Sequence, residues 1–108
     1  MTGYCNKSQY TCPELLQEKG NVVLDFGEKS DVYSFGLIMW FIFSREVPFD
    51  GLHVDAVKRY VIDERSRPKI SRKFPKDIAH LIRVCWQSDI INRPNFEQIH
   101  EFLKKIDL

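Results

Sequence analysis

From Val32 to Phe43 the chain reads Val-Tyr-Ser-Phe-Gly-Leu-Ile-Met-Trp-Phe-Ile-Phe, without a single charged side chain. A helix that is apolar nearly all round is one made for burial on every side, not for lying on a surface. Ser30 stands ahead of it as an expected N-cap, and Asp31 places an anion in its first turn, where the helix dipole favours one. The longest apolar run, Phe35 to Phe43, is far short of the roughly 20 residues that span a bilayer. Neighbours for this helix must therefore come from protein. The chain has 108 residues to offer, and a chain of that size hides only about two-thirds of its unfolded surface. That is one small domain at most, with a modest core.

The flanking segments are helical too. Val54, Val57, Tyr60 and Val61 share a face. After a break around Pro68 and Pro75, Ile78, Leu81, Ile82, Cys85 and Trp86 follow the i, i+3, i+4, i+7, i+8 pattern. Asn95 and Gln98 are spaced as a capping box behind Pro94, and Phe96, Ile99, Leu103 and Ile106 form a last stripe. Towards the N-terminus, MTGYCNKSQYT reads as loop. Pro13 fits the first turn of a short helix, with Thr11 as cap and Gly20 as stop. Strand signals are nearly absent, and the chain is predicted to be all-α.

A net charge of +1 conceals a pattern. Residues 1–57 carry four basic and eight acidic side chains, net −4, and residues 77–108 carry four and five, net −1. Residues 58–76 carry eight basic side chains against Asp63 and Glu64, net +6. Such a stretch reads as a solvated helix-to-loop surface; its sharper reading is a site for an anionic partner. A near-neutral total without interleaved aromatics argues against nucleic acid. Cys5, Cys12 and Cys85 form no C-x-x-C pair, and the three histidines are scattered, so neither a disulfide framework nor a zinc site is expected. Reduced, cytoplasmic surroundings fit such cysteine usage, and no basic-then-apolar leader or membrane segment is apparent.

Three separated stretches, in order, resemble the C-terminal part of a protein kinase domain. Gln9-Tyr10-Thr11-Cys12-Pro13-Glu14 resembles the end of the activation segment. Lys29-Ser30-Asp31-Val32-Tyr33-Ser34-Phe35-Gly36 resembles the start of the large lobe's central helix, with Arg45-Glu46 and Pro48-Phe49-Asp50-Gly51 following as in the family. Cys85-Trp86-Gln87-Ser88-Asp89, with Arg93-Pro94-Asn95-Phe96, resembles the last motif. The wording of the central stretch and the Cys85-Trp86 pair lean towards the tyrosine-kinase-like group. The resemblance covers essentially the whole chain and implies a partial kinase domain over 1–108. Within it, residues 1–30 are the activation-segment end and connector, and 31–108 a helical subdomain.

The resemblance also implies roles. Glu14 should pair with Arg93, a bidentate arrangement that satisfies both groups when buried. In the family the aspartate matching Asp31 holds the catalytic loop. That loop lies upstream of these motifs, so Asp31 is expected either to cap its own helix or to lack its usual partner. Trp86 belongs to the last motif as a structural residue. Thr2, Tyr4 and Ser8 lie where activation-segment phosphorylation would fall.

Kinase chemistry needs a glycine-rich loop and a lysine for the phosphates, a catalytic-loop aspartate and asparagine, and a metal-binding aspartate. The five glycines contain no G-x-G. The only H-x-D, His53-Val54-Asp55, lacks the arginine, and Tyr60 stands where the asparagine belongs. Asp25-Phe26-Gly27 spells the metal-binding motif but follows Glu14 instead of preceding it, and reads as coincidence. No catalytic, cofactor-binding or metal-binding residue is therefore assigned to this chain; ATP and magnesium belong to a complete domain. Departures from the family, among them Asn6-Lys7, Cys12 and Phe41, put the parent domain's activity in doubt but not its fold.

Two functional expectations follow. In the first, the chain is the substrate-side scaffold of a kinase domain, its partners being the upstream part of that domain and a protein substrate. In the second, it is a truncated, pseudokinase-like binding module acting through helical and basic surfaces. Without upstream neighbours, the central helix should expose a patch, and the chain should self-associate, swap segments or remain loosely packed.

Overall fold

The computed structural model describes residues 7–16 and 27–106, and among them every regular element is helical. A short 3₁₀ turn, Lys7–Tyr10, leads into α1, Pro13–Leu16. The long central helix α2 runs Glu28–Ser44. Then come α3, Val54–Lys58, extended by a π-helical turn over Arg59–Asp63; α4, Lys76–Cys85; a 3₁₀ turn at Ile90–Asn92; and α5, Phe96–Lys105.

The start of α2 differs from the expected one. Gly27, at φ 51°, is the N-cap, and the helix is already running at Glu28. Ser30 therefore lies inside the first turn, and its hydroxyl is free of capping duty. At the other end Arg45 adopts the left-handed region at φ 62° and donates its amide to the Phe41 carbonyl.

One side of α2 is the core. Val32, Tyr33, Leu37, Met39 and Trp40 are buried, and α4 meets this side with Ile78, Leu81, Ile82 and Cys85. Gly36 allows the approach: a Cβ there would stand 2.9 Å from the Cβ of Cys85. The other side is open among the described residues, apart from Phe43, whose ring lies 5.9 Å from that of Phe74. Ile38, Phe41, Ile42 and Phe43 are between 38% and 59% exposed. The apolar circumference read from the sequence thus divides into a packed half and a bare half.

The α4 stripe is buried, but the stripes of α3 and α5 are covered only in part: Val57, Val61 and Ile99 are buried, whereas Tyr60, Phe96 and Leu103, expected on the same faces, are exposed. The side chain of His53 caps α3 by accepting the Asp55 amide. Asn95 and Gln98 form the capping box of α5, which places Ile99 in the core and sets Phe96 edge-on against Phe35 at 5.8 Å. Glu28 on α2 accepts the Phe96 amide and ties the first turns of the two helices together. The 64–75 segment crosses the C-terminal end of α2, where the Trp40 indole donates to the Lys69 carbonyl at 2.9 Å. Among the described residues no helix is long and apolar enough to cross a membrane.

Candidate functional site

Among the described residues, the densest polar construction joins α1, α2 and the segment before α5. Arg93 is 1% exposed. Its Nη1 donates to Glu14 Oε2 at 2.7 Å and its Nη2 to Oε1 at 2.9 Å, a two-pronged pair across 79 positions of sequence. Nε donates to the Gln87 carbonyl at 2.8 Å, and Nη1 also reaches the Lys29 carbonyl at 3.0 Å. Ser30 Oγ, released from capping, donates to Glu14 Oε2 at 2.9 Å. Lys29 Nζ returns the contact by donating to the Arg93 carbonyl. Burial alone pushes the Glu14 carboxyl upward. Hydrogen bonds from Arg93, from Cys12 and from the backbone, together with the Arg93 charge, outweigh it and hold the group below the ordinary carboxylate range.

Tyr33 extends the cluster. The guanidinium of Arg93 lies 5.1 Å from its ring centroid and that of Arg67 lies 5.3 Å from it. Burial pushes the phenol up to about 12, and the two guanidinium charges only partly oppose this. Its hydroxyl is buried with no hydrogen-bond partner among the described residues. Arg67 corrects the reading of the basic stretch as wholly solvated. It donates from Nε to the Trp86 carbonyl at 2.8 Å and from Nη2 to Ser88 Oγ at 3.0 Å. The other basic residues of that stretch are exposed.

The N-terminal segment is fastened onto this base. Ser34 Oγ donates to the Tyr10 carbonyl at 2.7 Å, and Gln9 Nε2 donates to the Phe49 carbonyl at 2.9 Å. Residues 9–14 are thereby held between α2 and the 46–50 loop. Trp86, 6% exposed, closes α4 and offers its carbonyl to Arg67. Asp31 is solvent-exposed on the first turn of α2. Thr2 and Tyr4 lie outside the described residues, as do Asp25 and Phe26; Ser8 falls in the first 3₁₀ turn.

Sequence reasoning missed Ser30 as a partner of Glu14, Lys29 as a partner of Arg93, and Arg67 as a part of the interior. The one available signal was Tyr33, a polar aromatic in an otherwise apolar helix that calls for polar company.

The cluster thus joins the residues of all three motifs in one network. The family profile of protein tyrosine and serine/threonine kinases matches residues 3–103. The chain belongs to the protein kinase family. Its relatives include a probable serine/threonine-protein kinase of Dictyostelium discoideum, 35% identical over 98% of this chain. The serine/threonine/tyrosine-protein kinase HT1 of Arabidopsis thaliana is 31% identical over 92% of it. The dual specificity protein kinase pyk3 of Dictyostelium discoideum is 40% identical over 84% of it. The chain spans only 11%, 24% and 6% of the lengths of these three relatives. This kinase segment is the C-terminal helical part of the domain.

Proposed function

We propose that this segment is the substrate-side scaffold of a kinase domain that transfers phosphate from ATP to serine, threonine or tyrosine of a protein. The observation that carries the reading is the Glu14–Arg93 pair. It anchors the end of the N-terminal segment to the helical base, so the ledge at 9–14 keeps its shape when a peptide lies against it. Gln9 and Ser34 extend the same fastening. The Cys85-Trp86 pair and the central-helix wording favour the tyrosine-kinase-like group, and Thr2, Tyr4 and Ser8 are the proposed sites of activating phosphorylation.

No G-x-G occurs in the chain, and its only H-x-D, His53-Val54-Asp55, lacks the arginine. In this proposal ATP and magnesium are held upstream, and this segment alone does not transfer phosphate. The test is to extend the reading frame upstream of Met1 and assay the longer product with magnesium, ATP and a peptide substrate. A glycine-rich loop, a lysine and His-Arg-Asp upstream, with phosphate transfer by the extended protein only, is the expected result. A genuine start at Met1 with none of these motifs overturns the proposal and leaves the binding-module reading.

A further inference from the structure

The basic stretch contributes one surface that the scaffold role does not use. Where residues 64–75 cross the end of α2, they leave a groove of about 1120 Å³ between themselves and the 46–50 loop. Its floor is apolar: Trp40, Val47, Phe49, Pro68 and Ile70. Trp40 is fixed by its bond to the Lys69 carbonyl, and Val47 is 38% exposed. Lys69, Arg72 and Lys73 stand exposed along one side, and Glu46 and Asp50 stand exposed along the other. Among the described residues none of these five charges enters an ion pair. They differ in this from Arg67, which is spent on the interior. The loop side is also strained: Phe49 sits at φ 55°, a region bulky side chains rarely adopt, held by stacking on Tyr60 and by the Gln9 bond.

We infer that this groove docks an acidic segment of a partner protein. An apolar side chain of the segment seats on Val47 and Ile70, and its carboxylates face Lys69, Arg72 and Lys73. Charge complementarity carries the assignment: the groove lining sets three basic side chains, all on the 68–73 side, against two acidic ones on the loop side. Glu46 and Asp50 give the docked segment a direction, because its acidic end is repelled from their side. The same two carboxylates count against a nucleic-acid backbone or an anionic membrane, either of which presents negative charge to both sides at once. The groove shares no lining residue with the Glu14–Arg93 cluster, so the inference stands apart from the scaffold proposal.

Fluorescence anisotropy on the full chain tests it, using a short labelled peptide with one leucine followed by a run of glutamates. Saturable binding that weakens with added salt is expected. The combined change Lys69→Glu, Arg72→Glu and Lys73→Glu is expected to weaken it about tenfold or more at unchanged helical circular dichroism. Val47→Asp, on an exposed loop, removes the apolar seat and is expected to weaken binding similarly; it carries the test alone if the triple change disturbs folding. A glutamine-for-glutamate peptide that binds equally well overturns the inference. So does a triple variant, folded, with unchanged affinity. Displacement of the peptide by phosphatidylserine vesicles or duplex DNA, but not by excess unlabelled peptide, also overturns it.

Discussion

Arg93 is buried with four of its five N–H groups engaged, so its removal does more than delete a contact. Arg93→Ala leaves the Glu14 carboxylate buried with no cation, a loss of about 3–5 kcal/mol for a broken buried pair. In a domain this small, each kcal/mol is worth roughly 4–8 °C of melting temperature. Arg93→Lys keeps the charge but not the fork and should recover only part of the loss. Thermal melts by circular dichroism decide this, and an unchanged melt for Arg93→Ala means that the pair does not hold the fold. The pair also sets a pH dependence. Glu14 titrates lower in the folded state than its unfolded value of about 4.3. Its contribution is therefore complete above that value and is lost as pH falls through the depressed folded one. The acid-induced drop in melting temperature should be shallower in Glu14→Gln than in the parent chain, although that variant starts from lower stability. Tyr33 presents the converse case. Its hydroxyl is buried with no hydrogen-bond partner among the described residues, so Tyr33→Phe should be neutral or stabilising by up to about 1 kcal/mol. The ring that lies under the two guanidiniums remains. A clear destabilisation on urea denaturation would reveal a partner for the hydroxyl.

Among elements, the contact of α2 with α4 is the most exacting. Gly36 faces Cys85 so closely that an added methyl meets a Cβ fixed to backbone, which no rotamer change can move. Gly36→Ala should cost about 1–3 kcal/mol despite its better helix propensity, measurable as a lower urea midpoint at similar slope. Arg45 offers the opposite: a β-carbon-bearing residue at φ 62° closing α2, where glycine is at ease. The stripes of α4 and α5, the Asn95–Gln98 box and the all-α class were legible because each depends on residues within a few positions of one another. The role of Ser30 was not legible, since its choice between capping and Glu14 rests on where Gly27 begins the helix. Arg67 looked like its basic neighbours because a guanidinium can be solvated or interior according to partners 19 and 21 residues away. Local pattern names the element; long-range pairing decides which side chains the element keeps for itself.

At the scale of the whole molecule, the bare side of α2 is the dominant fact. Ile38, Phe41, Ile42 and Phe43 lie on one helix, and Val47 beside its end is also partly exposed. A single exposed apolar residue is ordinary, but a contiguous patch on a helix that the sequence made apolar all round marks a surface built for a neighbour. In the proposed scaffold that neighbour is the upstream part of the domain. Alone in solution, the chain has its own second copy as the nearest source of apolar cover. Sedimentation velocity should therefore show a weight-average coefficient that rises with concentration. Phe41→Glu combined with Ile42→Lys should move the distribution towards monomer. Both side chains are 41% or more exposed, so the double change removes little core and should leave the melting temperature within a few degrees of the parent. The two measurements separate the roles of the helix's two sides: loss of association with stability retained assigns the bare side to partners, whereas loss of both assigns it to the fold. A parent chain that stays monodisperse and monomeric, with a sharp cooperative melt, would show that the exposed side needs no cover at all.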